Sequence, residues 1–208
     1  MKRCSWCNLN NSKYVEYHDN EWGEFKTDDK YLLEMLILES FQAGLSWECV
    51  LNKRDDFRKC YDDFDLDKIC NYDDNKINEL LQNKNIIRNK LKIKASINNA
   101  KIFRSIKNEY GTFYNYLKSF TNYKVYYETG FTHSILSDKI SEDLIKRGMK
   151  FVGTTIIYSY LQAIGIIYSH EKCCFKYKNV KMRLAVITDI HGNKEALESV
   201  INDIKKGM

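Results

Sequence analysis

The amino-acid sequence predicts an all-α fold, and three observations carry the prediction. Apolar residues recur at intervals of three and four, the turns between these stretches are short and polar, and none of the stretches shows the sustained strict alternation of a half-buried strand. The first strong helix runs through Tyr31-Leu32-Leu33-Glu34-Met35-Leu36-Ile37-Leu38. Thr27-Asp28-Asp29 supplies side-chain oxygens for the free amides of its first turn, and Gly44 offers a stop after Ala43. The same spacing predicts helices over 48–60, 65–70, 74–83, 89–108, 111–119, 141–147 and 153–168. The Asn/Lys-rich stretch at 83–101 keeps its apolar positions at Ile86, Ile87, Leu91, Ile93 and Ile97. The texture changes at Leu184-Ala185-Val186-Ile187-Thr188, which reads as a strand, followed by a turn and a helix with Ala196, Leu197, Val200, Ile201 and Ile204 on one face. A boundary near residue 180 therefore divides a domain over 1–180 from a tail over 181–208.

A chain of 208 residues suffices for one domain with a sizeable core and an appendage, and is short for two full domains. No stretch approaches the roughly 18 consecutive apolar residues of a membrane span, and Met1-Lys2-Arg3-Cys4-Ser5-Trp6 is not followed by the apolar run of a secretory signal. A cytoplasmic monomer without membrane contact is the expectation. Seven cysteines, with Cys173 and Cys174 adjacent, make a poor disulfide framework, which leaves metal binding or burial as their use. The net charge of +5 suits a polyanionic partner, but the excess of Lys, Asn, Ile and Tyr with no Pro marks a bias of the whole coding sequence, so charge alone decides little.

Three constellations can carry chemistry. Cys4 and His18 near the start, with His170 and Cys174 near the end of the helical body, offer the two thiolates and two imidazoles of a closed tetrahedral zinc site. Cys7 and Cys173 are alternative ligands, because Cys4-x2-Cys7 is itself a zinc-binding spacing and Cys173 adjoins Cys174. Aromatic residues form the second group: Trp6, Tyr14, Tyr17, Trp22 and Trp47 lie in the first quarter of the chain with Glu39. Such residues commonly build a core patch, but flat walls beside one carboxylate at the end of an apolar helix also make a pocket that stacks a heterocycle and reads its edge. The third is Ile86-Ile87-Arg88-Asn89-Lys90-Leu91-Lys92-Ile93-Lys94, a basic turn between helices that can offer Arg88, Lys90 and Lys92 to phosphates, or simply a solvated face.

At these residues the chain closely resembles the DNA-3-methyladenine glycosylase type I family, from about residue 3 to about 178. The resemblance is carried by Arg3-Cys4-Ser5-Trp6, Tyr17-His18-Asp19-Asn20-Glu21-Trp22-Gly23, Gln42-Ala43-Gly44-Leu45-Ser46-Trp47, Ile86-Ile87-Arg88, Lys146-Arg147-Gly148 and Lys150-Phe151-Val152-Gly153-Thr154-Thr155-Ile156. It implies a helix-hairpin-helix DNA glycosylase fold with its hairpin in 83–95, and one structural zinc joining the two ends of the domain through Cys4, His18, His170 and Cys174. It also implies excision of 3-methyladenine from alkylated double-stranded DNA without strand cleavage. Glu39 would be the catalytic carboxylate, Tyr17 a second hydrogen-bonding group, Trp47 the stacking platform, and Trp6 and Trp22 further aromatic wall. Two features depart from the pattern. The hairpin lacks a Gly-x-Gly turn, for which Arg88, Lys90, Lys92 and Lys94 could compensate. The tail, Met182-Arg183-Leu184-Ala185-Val186-Ile187-Thr188-Asp189-Ile190-His191-Gly192-Asn193, resembles the start of a calcineurin-like metallophosphoesterase without the remaining ligand blocks that a two-metal displacement needs.

Overall fold

The computed structural model describes residues 1–122, 124–178 and 197–198. The chain divides into two units, Met1–Tyr177 and Lys178–Met208. The strand expected over 184–188 and the Asp189/His191 motif lie outside the described residues.

In the first unit, helix α1 spans Ser12–Asn20, and Asn11 caps it by accepting from the Tyr14 amide. This helix is absent from the periodicity reading, because its inward face is Tyr14, Tyr17 and His18, polar-tipped rings that carry little aliphatic signal. Helix α2, Asp29–Gln42, is the central element, with every residue from Leu32 to Phe41 buried. Its cap is the one expected: Asp28 accepts from the Tyr31 amide at 2.9 Å, and beyond Ala43 the chain turns at Gly44, whose φ of +78° suits a residue without Cβ.

The helix predicted over 48–60 is two helices, α3 at Trp47–Leu51 and α4 at Arg54–Cys60. The break follows from tertiary pairing: the Arg54 guanidinium is buried, with Nη1 2.6 Å from Glu21 and Nε 2.7 Å from Glu34. Helices α5 (Leu66–Cys70), α6 (Asp74–Gln82), α7 (Lys90–Tyr110) and α8 (Phe113–Thr121) fall close to the expected spans. Helix α9, Ile135–Lys146, begins earlier than expected. Ser134 and Ser137 cap its start reciprocally, and Leu136, Ile140 and Leu144 are its only large apolar buried positions, too sparse to mark the first turns.

Helix α10, Thr154–Ala163, stops short of the predicted 168. Gly165 takes φ +76° there, and a Cβ on it would lie 2.5 Å from the backbone of Glu24 and Phe25, so the helix ends where two chain segments touch. Strand β1, Tyr126–Tyr127, then pairs in parallel with β2, Ile167–Tyr168, the only ladder among the described residues. Apart from this two-residue ladder, the regular structure is helical, as predicted. No helix among the described residues is long and apolar enough to cross a membrane.

The core forms around α2, which packs on α3, α7, α8 and α10. The ends of the unit meet, since the Phe175 amide donates to the Lys2 carbonyl at 2.9 Å. That closure places Cys4 and Cys174 together.

Candidate active site and metal cluster

Three segments bring the aromatic residues to one place. The N-terminal segment carries Trp6, α1 and the turn after it carry Tyr17 and Trp22, and the end of α2 with the start of α3 carries Glu39, Gln42 and Trp47. All five residues expected in the pocket, Trp6, Tyr17, Trp22, Glu39 and Trp47, line a single cavity of about 330 Å³. That is near the lower end of ligand-pocket sizes, roughly 300–1,000 Å³. The Tyr17 and Trp47 rings lie 5.3 Å apart at 43°, and Trp6 meets Trp22 edge-on at 4.7 Å.

Glu39 is the chemically distinctive group. It is 3% exposed, and among the described residues its Oε2 and the Trp47 Nε1 are buried with no hydrogen-bond partner. Burial alone raises its pKa to about 8. Glu34, buried on the same helix, shows the contrast: Arg54 and Arg58 each donate to it from Nε at 2.7 Å. A buried carboxylate with two guanidinium partners serves structure, whereas one facing a cavity without a cation is suited to a ligand that brings its own positive charge or donors. Tyr17 is likewise held protonated, first by burial and then by the neighbourhood of Glu39.

The cavity has further walls that the residue patterns did not single out: Ser159 and Gln162 of α10, Ser169, Glu171, and Gly130 with Phe131. Ser159 and Gln162 carry a readable signal, two polar residues three apart on a helix that is apolar or aromatic elsewhere beyond its first two threonines. For Phe131 no sequence signal exists, because the loop after β1 reaches the cavity only through the tertiary fold.

Beside this cavity, Cys4, His18, His170 and Cys174 are all buried, and their donor atoms lie within 4.8 Å of one another. Cys4 Sγ is 3.4 Å from His170 Nδ1, and Cys174 Sγ is 3.5 Å from both His170 Nδ1 and His18 Nε2. Tetrahedral bonds of about 2.0–2.3 Å set sulfur and nitrogen donors about 3.5 Å apart, so the four residues fit a metal ion. Burial holds the His170 pKa down to about 4, leaving the neutral imidazole that coordination needs. It also pushes the Cys4 thiol up to about 12, and a metal would displace that proton. His18 Nδ1 is 2.7 Å from Asp19, whose carboxylate is held by Arg3 at 2.6 and 2.7 Å, an arrangement that fixes the imidazole's orientation. Neither alternative cysteine joins the cluster: Cys7 faces the Tyr14 carbonyl, and Cys173 is exposed beside Glu171. The cluster touches the pocket through its rings, with Trp22 4.7 Å from His170 and Trp6 5.2 Å from His18.

The basic turn divides. Arg88 and Lys90 are exposed as expected, with Ile86 buried beneath them. Lys92 departs from the expectation of a phosphate contact. It is 7% exposed, and its Nζ donates to the carbonyls of Phe41 at 2.8 Å and Ala43 at 2.5 Å. The alternation of basic and apolar residues groups it with Lys90 and Lys94, but residues two apart in a helix point to different sides, and Lys92 lies on the inward face of α7.

Residues 6–177 match the family model described as methyladenine glycosylase. The chain is 40% identical over 187 residues to DNA-3-methyladenine glycosylase 1 of Escherichia coli (strain K12), covering 87% of this chain and all of that protein. A crystal structure of 3-methyladenine DNA glycosylase I superposes with a TM-score of 0.81 at 39% identity, covering 85% of this chain and 100% of the other. Another, of a variant of a 3-methyladenine DNA glycosylase I in complex with 3-methyladenine, has a TM-score of 0.79 at 30% identity and covers 84% of this chain and 96% of the other. With the aromatic cavity, the buried carboxylate and the two ends of the first unit brought together, these likenesses show that the chain belongs to the methyladenine glycosylase family.

Proposed function

We propose that residues 1–180 form a DNA-3-methyladenine glycosylase, which extrudes the alkylated nucleotide from double-stranded DNA and hydrolyses its N-glycosidic bond. The observation that carries this reading is Glu39, a buried carboxylate with no cation, opening on a cavity walled by Trp47 and Tyr17. N3-methylation leaves adenine in DNA with a positive charge and a weakened bond to the sugar. A base inside the stack is out of reach, so the nucleotide must flip into the pocket. There Trp47 stacks on the cationic ring, Glu39 accepts from its amino edge and offsets its charge, and Tyr17 makes a second polar contact. Water then adds to C1′ as the C1′–N9 bond breaks; the bonding electron pair stays with the base and neutralises its charge, and the attacking water releases a proton to solvent. None of the described residues lining the cavity is a lysine, so no amine stands ready to form a Schiff base, which supports base release without strand cleavage.

Cys4, His18, His170 and Cys174 would hold one zinc, their thiolate and imidazole donors favouring it over magnesium or calcium. With four protein ligands it would supply a crosslink and leave no position for a water.

For phosphate contact the helix-hairpin-helix reading has two supports. Arg88 and Lys90 stand exposed on the turn between α6 and α7, the region 83–95. A second hairpin, α9 to α10 through residues 147–153, packs more extensively than any other helix pair among the described residues. The turn is joined to α10 at Gly153, which is exposed and gives that helix no side-chain cap, whereas Asn89 already caps α7. Open amides at a helix start favour the second hairpin for a phosphate, with Lys150 exposed beside it. A monomer in the cytoplasm suffices for this chemistry, since one chain supplies every residue invoked.

Incubating the protein with methylated DNA and identifying the free bases is the direct test. Release of 3-methyladenine with an intact backbone is expected, and release of 7-methylguanine alone, or of no base, overturns the reading. Replacing Arg88 or Lys90 by Ala should weaken DNA binding across sequences and lower the slope of log affinity against log salt by about one for each phosphate no longer neutralised, while leaving free-base binding unchanged. A salt titration of binding reads the slope.

A further inference from the structure

We infer that Lys92 is a positioning residue for the base pocket: from α7 its ammonium binds the last carbonyl oxygens of α2 and sets the turn that separates Glu39 from Trp47. The inference rests on the functional reading above and adds to it a part for a residue that touches neither base nor phosphate.

The end of a helix leaves carbonyls without intrahelical partners. Helix α2 packs on α7 and has no basic residue of its own in its last turn. Lys92 meets that need, since Nζ donates to Phe41 O and Ala43 O and places a positive charge at the negative end of the α2 dipole. Phe151 closes the other side, its ring centroid 5.9 Å from Nζ. The neighbouring Lys90 and Lys94 are exposed, as lysines ordinarily are. Burying this one costs desolvation that its bonds to the carbonyls and the Phe151 ring offset.

The held segment is the one that matters for the pocket. Glu39 and Gln42 lie on the last turn of α2, and Trp47 begins α3 just beyond Gly44, with the Leu45 amide donating to Gln42 O at 2.6 Å inside the turn. The carboxylate and the stacking ring must address one flat base together, so a small shift of this turn separates them.

The test uses the full chain with its metal content checked. Lys92→Met keeps the stem and removes the three donors. Titrating free 3-methyladenine against tryptophan fluorescence should show affinity falling about tenfold or more, with single-turnover base release falling at least as far. The salt slope of DNA binding should stay unchanged, whereas losing a lysine that binds phosphate would lower it by about one. Lys92→Arg, which retains a cation and donors, should recover part of the affinity. As a control for mere destabilisation, Leu144→Ala in the core of α9 should lower the melting temperature and leave base affinity within about twofold. Base affinity of Lys92→Met within about twofold of wild type, or a salt slope reduced by about one, overturns the inference. Should Lys92→Met fail to fold, Lys92→Gln is read on the same scale. Failure of the wild-type protein itself to bind the base counts against the functional reading, and that arm is scored separately.

Discussion

Replacing Glu39 with Gln, or Trp47 with Ala, should abolish most base excision while leaving nonspecific DNA binding nearly intact. The carboxylate is buried and unpaired in the free protein, so a cationic base supplies its missing partner, and charge-assisted bonds of this kind carry about 1.5–3 kcal/mol each. That is on the order of 10- to 200-fold in affinity. Removing the Trp47 ring forfeits a stacking interaction of about 1–3 kcal/mol per base and opens a space beside Tyr17. Free 3-methyladenine binding and single-turnover release measure both. Equal losses in base binding and in nonspecific DNA binding would mean that these residues do not act on the base.

The same carboxylate makes the reaction depend on pH. Burial raises its pKa to about 8, so at neutral pH much of the free protein carries it protonated. The alkylated base in DNA is a fixed cation and prefers the ionised form. Activity as kcat/KM should therefore rise with pH and level off above about 8, and Glu39→Gln should flatten that limb. The sign for stability is the opposite. Between the ordinary glutamate pKa and about 8 the unfolded chain has released this proton and the native protein has not, so Glu39 lowers stability as pH rises through that window. One group thus moves activity and stability in opposite directions, and parallel kinetic and thermal scans read both.

Metal removal should produce the second large effect. Cys4 and His18 meet His170 and Cys174 across most of the domain, and cutting a crosslink over so long a loop costs about 3–5 kcal/mol. For a domain of this size that lowers the melting temperature by about 10 °C or more. Activity should fall as well, because Trp6 and Trp22 pack directly on the His18 and His170 imidazoles and would lose their backing. Calorimetry before and after chelation, with metal analysis of the purified protein, decides it. Less than one zinc per chain, or zinc absent from Cys7→Ser and retained in Cys4→Ser, would overturn the assignment.

Much of this protein is legible in its sequence. The helical class and the cap at Asp28 follow from local chemistry, because spacing and capping act over a few positions at a time, whereas the four clustered Cys and His residues and the five pocket residues are implied by the motifs that carry the family resemblance. Tertiary structure decided the rest. Helix α1 is held by inward rings that no aliphatic period reveals, the break between α3 and α4 comes where Arg54 turns in to Glu21 and Glu34, and α10 stops where Gly165 meets the backbone of Glu24. Lys92 is the sharpest instance. Its neighbours in sequence read as a basic surface, yet its ammonium belongs to carbonyls at positions 41 and 43, on another helix and the turn after it. A side chain's partner is set by which surfaces the core brings together, and the stretch of chain around it holds no record of that.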